Sequence, residues 1–496
     1  MNTVIINGRD TSSNLASVPM KQEEDKESEE PTAVSTDPDI QQLSNCMANL
    51  KISGLPNGSS GIINPGNTCY MNSAIQTISH TYFLRHYLLT EEENIKSILL
   101  LNAKKNLSDI KIFYSADIIN KLKEKINDPS YDVNMLNPDE VALILNSTMT
   151  YQILRVLKGL WSKNCTVNPT SFRRIFSEVR DKFFYGDNQH DAEEAYSCII
   201  QKMQEELGMK ADITFRSHNK QVGKLMQAKN NIAAAQTLEE KRMLSTKYLE
   251  LKAKMPVESL ILESYKEMKK HYDQSYSKIS EIFAGFFHSS IKCPDVNCGY
   301  AFNKFTAYFH ISLAMPARTT TTNPFANLGV LGYASTSTST AVTLDDCMEA
   351  FSAEEILDAN NLWKCDKCKN LVPAHKQEFL WTNPVVLVIQ LKRFGYDRRH
   401  KDNRLVTYPV KNLDIAPIIS PINKDIKNKC YQYDLYSVIN HIGGIGGGHY
   451  YSYCLDEETN RWFKYNDSNP VTEVKSDAIV NNHAYILFYI RKDMFR

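Results

Sequence analysis

A cysteine follows a turn rich in asparagine and glycine early in the sequence. The turn covers residues 64–68, and the cysteine is Cys69. Apolar residues then recur at helical spacing, at Met71, Ala74, Ile75 and Ile78. This pattern predicts that Cys69 lies in the first turn of a helix, where the dipole and free N–H groups favour a thiolate and can stabilise an oxyanion. Cys69 is therefore a candidate nucleophile and Asn64 a candidate oxyanion donor, whereas the alternative for a lone cysteine is a buried packing role.

A base for this nucleophile could come from a glycine-rich segment near the other end of the chain. Residues 441–453 read HIGGIGGGHYYSY. No GK[ST] follows the glycines and the next element is a predicted strand, which argues against a phosphate-binding loop. His449 opens that strand and Asn466 and Asp467 end the next one, so a hairpin would bring an amide or a carboxylate beside the imidazole. A Cys-His-Asn/Asp site requires this arrangement, although a lone histidine is usually structural.

Four further cysteines form two closely spaced pairs. Cys293 and Cys298 are separated by four residues, and Cys365 and Cys368 by two. Two hairpin knuckles with such pairs could supply four thiolates to a tetrahedral zinc ion, and the alternative is two pairs of ordinary free thiols. The two pairs therefore predict a structural zinc site. Separately, we expect no catalytic cofactor.

An acidic pair occurs in the segment QHDAEE at residues 189–194. Asp191 and Glu194 are spaced i, i+3 on a predicted helix whose apolar face is made by other residues. The two carboxylates should leave the core together. From the residues alone, the simplest interpretation is that the two carboxylates form a solvated acidic face.

The elements that must position these residues are helices first and strands later. The last third contains β-branched and aromatic runs bounded by Gly, Asn, Asp or Pro, which predicts a largely antiparallel sheet. Residues 1–58 are acidic and poor in aromatics, so we expect a disordered tail before a folded domain at 59–491 and a short tail at 492–496. Within the domain, residues 219–280 show helical spacing and read as an insertion, and the Thr/Ser-rich residues 317–341 read as a loop.

Composition limits the class of function. Lys+Arg and Asp+Glu both number 57, so the overall charge gives no reason to expect nucleic acid as a partner. Apolar runs fall far short of the about 18 residues that span a bilayer, so no membrane association is expected. Eleven cysteines in 496 residues are too few for a disulfide scaffold. With no signal peptide visible, we expect an intracellular protein.

Three blocks of the sequence resemble the ubiquitin-specific proteases, which are papain-like cysteine deubiquitinases. The first block is GIINPGNTCYMNSAIQ at 61–76, the second is QHDAEE, and the third runs from residue 433 through GGHYYSY to FKYNDSNPVTEV at 463–474. The segments LKRF at 391–394 and AYILFYIR at 484–491 also resemble the family. The resemblance covers about residues 60–491 and implies an α+β fold with a papain-like core, a helical thumb, an antiparallel β palm and zinc-stapled β fingers.

The resemblance also implies roles for single residues. Cys69 matches the nucleophile, His449 the base, Asn466 the third triad member, Asn64 the oxyanion amide and Asp467 its acidic neighbour. Which of Asn466 and Asp467 contributes more is left open, because many relatives carry Asp where this chain has Asn466. From the residues, we expect Asn466 to orient the ring by accepting from Nδ1–H.

Substrate contacts follow from the same resemblance. In the family, carboxylates matching Asp191 and Glu194 hold the arginine-containing tail of ubiquitin. The segment 443–448 would line the channel for its Gly-Gly end, so that Gly447, Gly448 and Tyr450 are expected substrate contacts. The family finger region resembles the four-cysteine pattern, although its first knuckle usually has only two intervening residues.

The expected activity is thiol-dependent hydrolysis of the isopeptide or peptide bond after the C-terminal glycine of ubiquitin, with ubiquitin and ubiquitinated proteins as partners. Two alternatives are a protease for another ubiquitin-like modifier and a non-catalytic ubiquitin-binding scaffold. The oligomeric state is left open, with a monomer as the simplest expectation.

Overall fold

The structure is a computed structural model, and it describes most of the chain beyond the N-terminal segment. The described residues are 3–6, 9–10, 55–106, 116–162, 166–216, 219–316, 341–394, 401–422, 431–444 and 447–494.

The described residues cover the predicted segments only in part. Most of the predicted tail, and the loop at 317–341 except for its last residue, lie outside the described residues. Within the predicted tail, Thr3–Ile6 is a strand that pairs antiparallel with Ile213–Arg216. Leu55, before the predicted start of the domain at 59, packs against a small apolar cluster that includes Phe463.

Helices dominate the first half of the chain. They are α1 Cys69–Ser79, α2 Tyr82–Thr90, α3 Glu92–Leu101, α4 Ala103–Asn106, α5 Ala116–Asn127, α6 Pro138–Asn146, α7 Met149–Ser162, α8 Thr170–Lys182, α9 Ala192–Leu207, α10 Lys220–Ala234, α11 Leu238–Lys254, α12 Pro256–Ser275, α13 Lys278–Phe283 and α14 Leu344–Ser352. Short 3₁₀ helices are Val133–Met135, Ala416–Ile418, Ser476–Ala478 and Lys492–Met494. Among the described residues, no helix is long and apolar enough to cross a membrane.

Strands dominate the second half. They are β1 Thr3–Ile6, β2 Arg9–Asp10, β3 Ile213–Arg216, β4 Gly285–Lys292, β5 Ala301–Tyr308, β6 Ile311–Ala314, β7 Ala341–Thr343, β8 Glu355–Ile356, β9 Trp363–Lys364, β10 Leu371–Val372, β11 His375–Thr382, β12 Val386–Lys392, β13 Leu405–Thr407, β14 Leu413–Asp414, β15 Gln432–Gly444, β16 Gly447–Asp456, β17 Arg461–Tyr465, β18 Thr472–Val474 and β19 Ala484–Arg491. The main sheet has the order β18-β17-β16-β15-β19-β12-β6, with β14 paired to β15.

The main sheet is covered on both faces. On β12, Val386 and Val388 point into a core shared with the helices of the first half, whereas Leu387 and Ile389 point into a second core. Successive side chains of a strand face opposite sides, so burial of both faces explains an apolar run without alternation. Only the β12–β6 pair in this sheet is parallel among the described strands. The predicted α+β class and largely antiparallel sheet are confirmed.

A smaller four-stranded sheet has the order β5-β4-β11-β8. One cysteine pair lies in its β4–β5 turn, and the other lies in the separate β9–β10 hairpin. The residue 219–280 insertion is helical as predicted, and Pro256 begins α12. Tyr265 of α12 is buried in one apolar cluster with Phe286 and Trp381 of the small sheet, whereas α11 has no buried residue. Part of the insertion therefore supports this sheet.

Candidate active site

Cys69 is the first residue of α1, as the sequence predicts. It is only 2% exposed, because α1 is buried along its whole length between β16 and α9. The preceding turn contains Asn67 with φ of 49°, a left-handed conformation that asparagine tolerates better than most residues. Thr68 occupies the cap position without capping, and its hydroxyl donates to Asn64 Oδ1 at 3.0 Å instead. The turn therefore fixes Asn64 beside the nucleophile.

His449 lies on β16 and contacts both of its predicted partners. Its Nε2 donates to Asn466 Oδ1 at 2.5 Å, just beyond the end of β17. A hydrogen bond with Cys69 raises the pKa of His449 from 6.5 to about 9, against the opposing effect of burial and with help from Asn466. The expectation that Nδ1 faces Asn466 is wrong, because the ring turns Nε2 toward the amide. A protonated imidazole held beside a thiol favours the thiolate–imidazolium pair.

The Asp467 carboxylate binds residues around the start of α1. Asp467 has a φ of 49°, and its two carboxylate oxygens accept from Asn72 Nδ2 at 2.8 Å and Asn64 Nδ2 at 2.9 Å. Its backbone oxygen accepts from Ile62 N at 2.9 Å. Asp467 is thus the acidic neighbour of the Asn64 amide, whereas the adjacent Asn466 binds His449.

The acidic pair is less exposed than a solvated face would be. Asp191 is not on the helix but caps α9, accepting from Glu193 N at 2.8 Å and from the Tyr485 hydroxyl at 2.5 Å. Burial raises the pKa of Asp191 from 3.8 to about 6. Glu194 is half-buried in the first turn of α9. The prediction that both carboxylates leave the core together on one helical face is wrong, because a cap residue lies outside the helix and is bound from two sides.

The glycine-rich segment is mostly strand rather than loop. β15 extends to Gly444 and β16 starts at Gly447, so residues 445–446 alone of this segment lie outside the described residues. A Cβ on Gly448 would lie 2.1 Å from Nε2 of His441, whose buried ring is 4.4 Å from that of Tyr450. Tyr450 is 7% exposed, and its hydroxyl accepts from Ala192 N.

Two supporting residues escaped sequence reasoning. Gln189 exchanges two hydrogen bonds with Gly448, and its presence in the QHDAEE segment was the available signal. His80, just after α1, is buried with its pKa lowered by desolvation to about 4, and its Nε2 lies 2.9 Å from the Tyr465 hydroxyl. Because Tyr465 precedes Asn466, this contact ties the end of α1 to the strand that presents the triad amide. No spacing rule pairs His80 with Tyr465.

The four predicted zinc ligands are close together at the end of the small sheet. All four sulfurs lie within 4.8 Å of one another, with Cys293 Sγ 3.9 Å from Cys368 Sγ and Cys298 Sγ 3.6 Å from Cys365 Sγ. Tetrahedral Zn–S bonds of about 2.3 Å put sulfurs about 3.8 Å apart, so the spacing fits zinc. The extra residues of the first knuckle form a turn in which Asp295 O accepts from Cys298 N at 3.0 Å. They therefore do not separate the sulfurs.

Comparison with known proteins identifies the family of this chain. The sequence profile of the family described as ubiquitin carboxyl-terminal hydrolase matches residues 60–489. Probable ubiquitin carboxyl-terminal hydrolase R319 of Acanthamoeba polyphaga mimivirus is 44% identical over 449 residues, 88% of this chain and 91% of that protein. Human ubiquitin carboxyl-terminal hydrolase 2 is 26% identical over 436 residues, 87% of this chain but 55% of that protein.

A solved structure supports the fold. A chain of the SAGA Ubp8/Sgf11/Sus1/Sgf73 DUB module bound to ubiquitin aldehyde has a TM-score of 0.50 and 17% identity, covering 91% of this chain and 74% of that chain. At this identity the likeness shows the fold alone. With the profile and the viral relative, the family is established. This chain belongs to the ubiquitin carboxyl-terminal hydrolase family and is a cysteine-type deubiquitinase.

Proposed function

We propose that this chain hydrolyses the bond after the C-terminal glycine of ubiquitin, with Cys69 as nucleophile, His449 as acid and base, and Asn466 as orienter. One observation carries the assignment. Residues from opposite ends of the domain form a continuous series of contacts from Cys69 through His449 to Asn466. A packing cysteine requires no such partners.

The chemistry follows from the thiolate–imidazolium pair. The Cys69 thiolate forms a bond to the glycine carbonyl carbon, and His449 donates its proton to the nitrogen of the leaving amine as the C–N bond breaks. His449 then accepts one proton from water, whose oxygen attacks the thioester and breaks the C–S bond. The released ubiquitin carboxylic acid loses the other proton of that water to solvent. The thiolate and the imidazolium are restored together. No cofactor takes part in this sequence of steps.

The oxyanion is stabilised from two directions. Cys69 is at the positive end of α1, where backbone N–H groups have no helical acceptor. The side-chain amide of Asn64 has two N–H donors, and Asp467 accepts from one of them. We propose that the other donor binds the oxyanion, and that the Asp467 carboxylate polarises and orients the amide.

Recognition of the ubiquitin tail rests on Asp191 and Glu194. A carboxylate binds an arginine with a charge-assisted hydrogen bond, and burial strengthens that interaction by excluding water. Burial is the main cause that raises the pKa of Asp191 to about 6. A tail arginine would lower this pKa and stabilise the ionised form.

Two broader parts of the proposal concern assembly and environment. All of the proposed catalytic residues come from one chain, so a second copy is not needed to complete the site, and we propose an active monomer that acts on ubiquitinated proteins. The described cysteines are free thiols, which suits a reducing compartment, and we retain an intracellular location as a proposal. The four finger cysteines would hold a structural zinc that stabilises the small sheet.

Reaction with a ubiquitin C-terminal electrophile, followed by peptide mapping, tests the proposal. We expect one adduct, on Cys69, and none in Cys69→Ala. A matched electrophile made from another ubiquitin-like modifier tests the competing substrate class. Faster modification by that probe would assign the enzyme to the other modifier, and failure of both probes to modify a folded protein would indicate a non-catalytic scaffold.

A further inference from the structure

Gln189 makes a paired contact with the residue that precedes the proposed base. Its Nε2 donates to Gly448 O at 2.7 Å, and its Oε1 accepts from Gly448 N at 2.9 Å. A side-chain amide that binds both backbone groups of one residue restricts that residue more than a single hydrogen bond would. The next residue in the chain is His449.

This contact occurs where strand β16 lacks a neighbour on its outer edge. β17 pairs with β16 from Ser452 to Asp456 but not at Gly448, in the part of the chain that the structure describes. On its other edge, Gly448 pairs with Gly443 of β15, so only the outward-facing backbone groups of this strand end lack a strand partner. The Gln189 amide takes the place that a neighbouring strand would occupy and pairs the strand end at Gly448.

The segment carrying Gln189 is itself anchored beside the nucleophile. The ring of His190 is 5.3 Å from the ring of Tyr70, the residue after Cys69, and 5.1 Å from Phe184. On the other side, Asp191 caps α9. The exposed Gln189 side chain therefore extends from a backbone that is fixed relative to the start of α1.

Gly448 is also confined on the face away from Gln189. An added Cβ would lie 2.1 Å from His441 Nε2 and 3.0 Å from Ile442 O, so the glycine is in close contact with the neighbouring strand. Together, the close contact with the neighbouring strand and the two hydrogen bonds to Gln189 leave the Gly448 peptide little room to move. The orientation of His449 depends on the same backbone.

We propose that Gln189 is a positioning residue that fixes His449 relative to Cys69. The path runs from Cys69 to the adjacent Tyr70, across the ring contact to His190, and through Gln189 to Gly448 and His449. This inference rests on the proposed function of the Cys69–His449 pair. The two hydrogen bonds of Gln189 bind the backbone of Gly448, so Gln189 acts on His449 through that backbone.

The test compares Gln189→Ala and Gln189→Met with wild type, using Asn188→Ala as a control at the exposed neighbouring position. Methionine keeps the length of the side chain but cannot replace the paired amide contact. Two readouts are required: kcat and KM for a ubiquitin substrate with a fluorogenic leaving amine, and the pH profile of Cys69 alkylation by iodoacetamide. The second readout does not involve ubiquitin. Circular dichroism melting checks that each variant is folded.

We expect both Gln189 variants to lower kcat by roughly tenfold to a hundredfold, the effect of small misplacements of reacting groups, with KM little changed. Alkylation at neutral pH should slow, because the thiolate loses part of its support from His449. Asn188→Ala should match wild type.

Two results would overturn the inference. Unchanged kcat and alkylation would show that the contact is passive, and a lower KM with a higher kcat/KM would show that Gln189 instead obstructs the substrate path. Failure of wild-type enzyme to cleave the ubiquitin substrate would reject the proposed function, whereas the alkylation profiles would still test the positioning role.

Discussion

The side-chain amide of Asn64 donates to the carboxylate of Asp467 across 2.9 Å. The bond joins the turn before the nucleophile to the turn after β17, although the two residues are far apart in sequence. It explains why Asp467 is available to the oxyanion donor and Asn466 to the base. Adjacent residues of similar shape thus have different proposed tasks.

Shared action of Asn64 and Asp467 can be tested with a double-mutant cycle. Asn64→Ala should lower kcat about 10²–10³-fold, as loss of an oxyanion donor does. Asp467→Ala should lower kcat less, and the double variant should resemble Asn64→Ala, because Asp467 acts through Asn64. Steady-state kcat for the four proteins provides the check. Effects that multiply in the double variant would show that the residues act independently.

The pH dependence of activity should report His449. Its pKa is raised from 6.5 to about 9, chiefly by the hydrogen bond with Cys69. Protonated His449 therefore stabilises the folded protein fully below about pH 6.5, and this stabilisation is lost as the pH rises through about 9. We expect kcat/KM to fall over the same alkaline range, as measured across a series of buffers.

Asn466→Asp should shift the dependence of kcat/KM on pH in a defined direction. A carboxylate in place of the amide would favour the imidazolium, so the alkaline fall should move to higher pH. Asn466→Ala removes the acceptor and should move it lower while reducing kcat by less than His449→Ala does. An alkaline limb that is the same in all three proteins would separate Asn466 from the titration of His449.

Cys69→Ala should abolish turnover and preserve binding. Loss of a triad nucleophile lowers kcat by roughly 10⁴–10⁶-fold, whereas the surfaces that hold ubiquitin are unaltered. The measurements are release of a fluorogenic amine and ubiquitin binding by calorimetry. Turnover comparable to wild type would reject Cys69 as the nucleophile.

Asp191→Asn isolates charge from structure at the proposed tail-binding site. Asparagine can still cap α9 through its Oδ1, and its Nδ2 would donate to the Tyr485 hydroxyl where the carboxylate accepts, so we expect the variant to stay folded. KM for a ubiquitin substrate should rise roughly tenfold to a hundredfold at neutral pH, for a loss of about 1.5–3 kcal/mol from one charged hydrogen bond. Equal KM values in the two proteins would remove Asp191 from tail recognition.

Asp191→Asn should also change how KM for a ubiquitin substrate depends on pH. The pKa of Asp191 is raised to about 6 by burial, so in wild type the carboxyl becomes neutral as the pH falls through about 6. KM should rise over that interval in wild type and stay nearly flat in Asp191→Asn. Alkylation of Cys69 serves as the control, since this reaction does not use the tail-binding site.

Cys365→Ser should reduce both zinc content and thermal stability. Structural zinc couples to folding, and the four sulfurs already lie at a spacing that suits the metal. Val296→Ser is a matched control, because Val296 belongs to the first knuckle but is 95% exposed. Metal analysis and melting with and without a chelator provide the measurements. Wild-type protein without zinc, and with a melting temperature indifferent to chelator, would contradict the assignment.

Sequence alone determined the local setting of most candidate residues. The spacing of apolar residues after Cys69 is a property of one helix, and the runs around β12, β15 and β19 have the composition of strands. Cysteine spacing indicated two knuckles because each pair lies within a single turn. These patterns involve neighbours along the chain, so they can be recognised without knowing how the chain folds.

Tertiary structure decided which of those residues meet. Asn64 lies beside Asp467, Gln189 beside Gly448 and His80 beside Tyr465 only because the helical layer packs on the sheet, and no periodicity encodes such pairs. The orientation of His449 and the burial of Asp191 were mispredicted for the same reason. Ring direction, helix capping and desolvation depend on atoms from distant segments, and these atoms come together only when the two cores form.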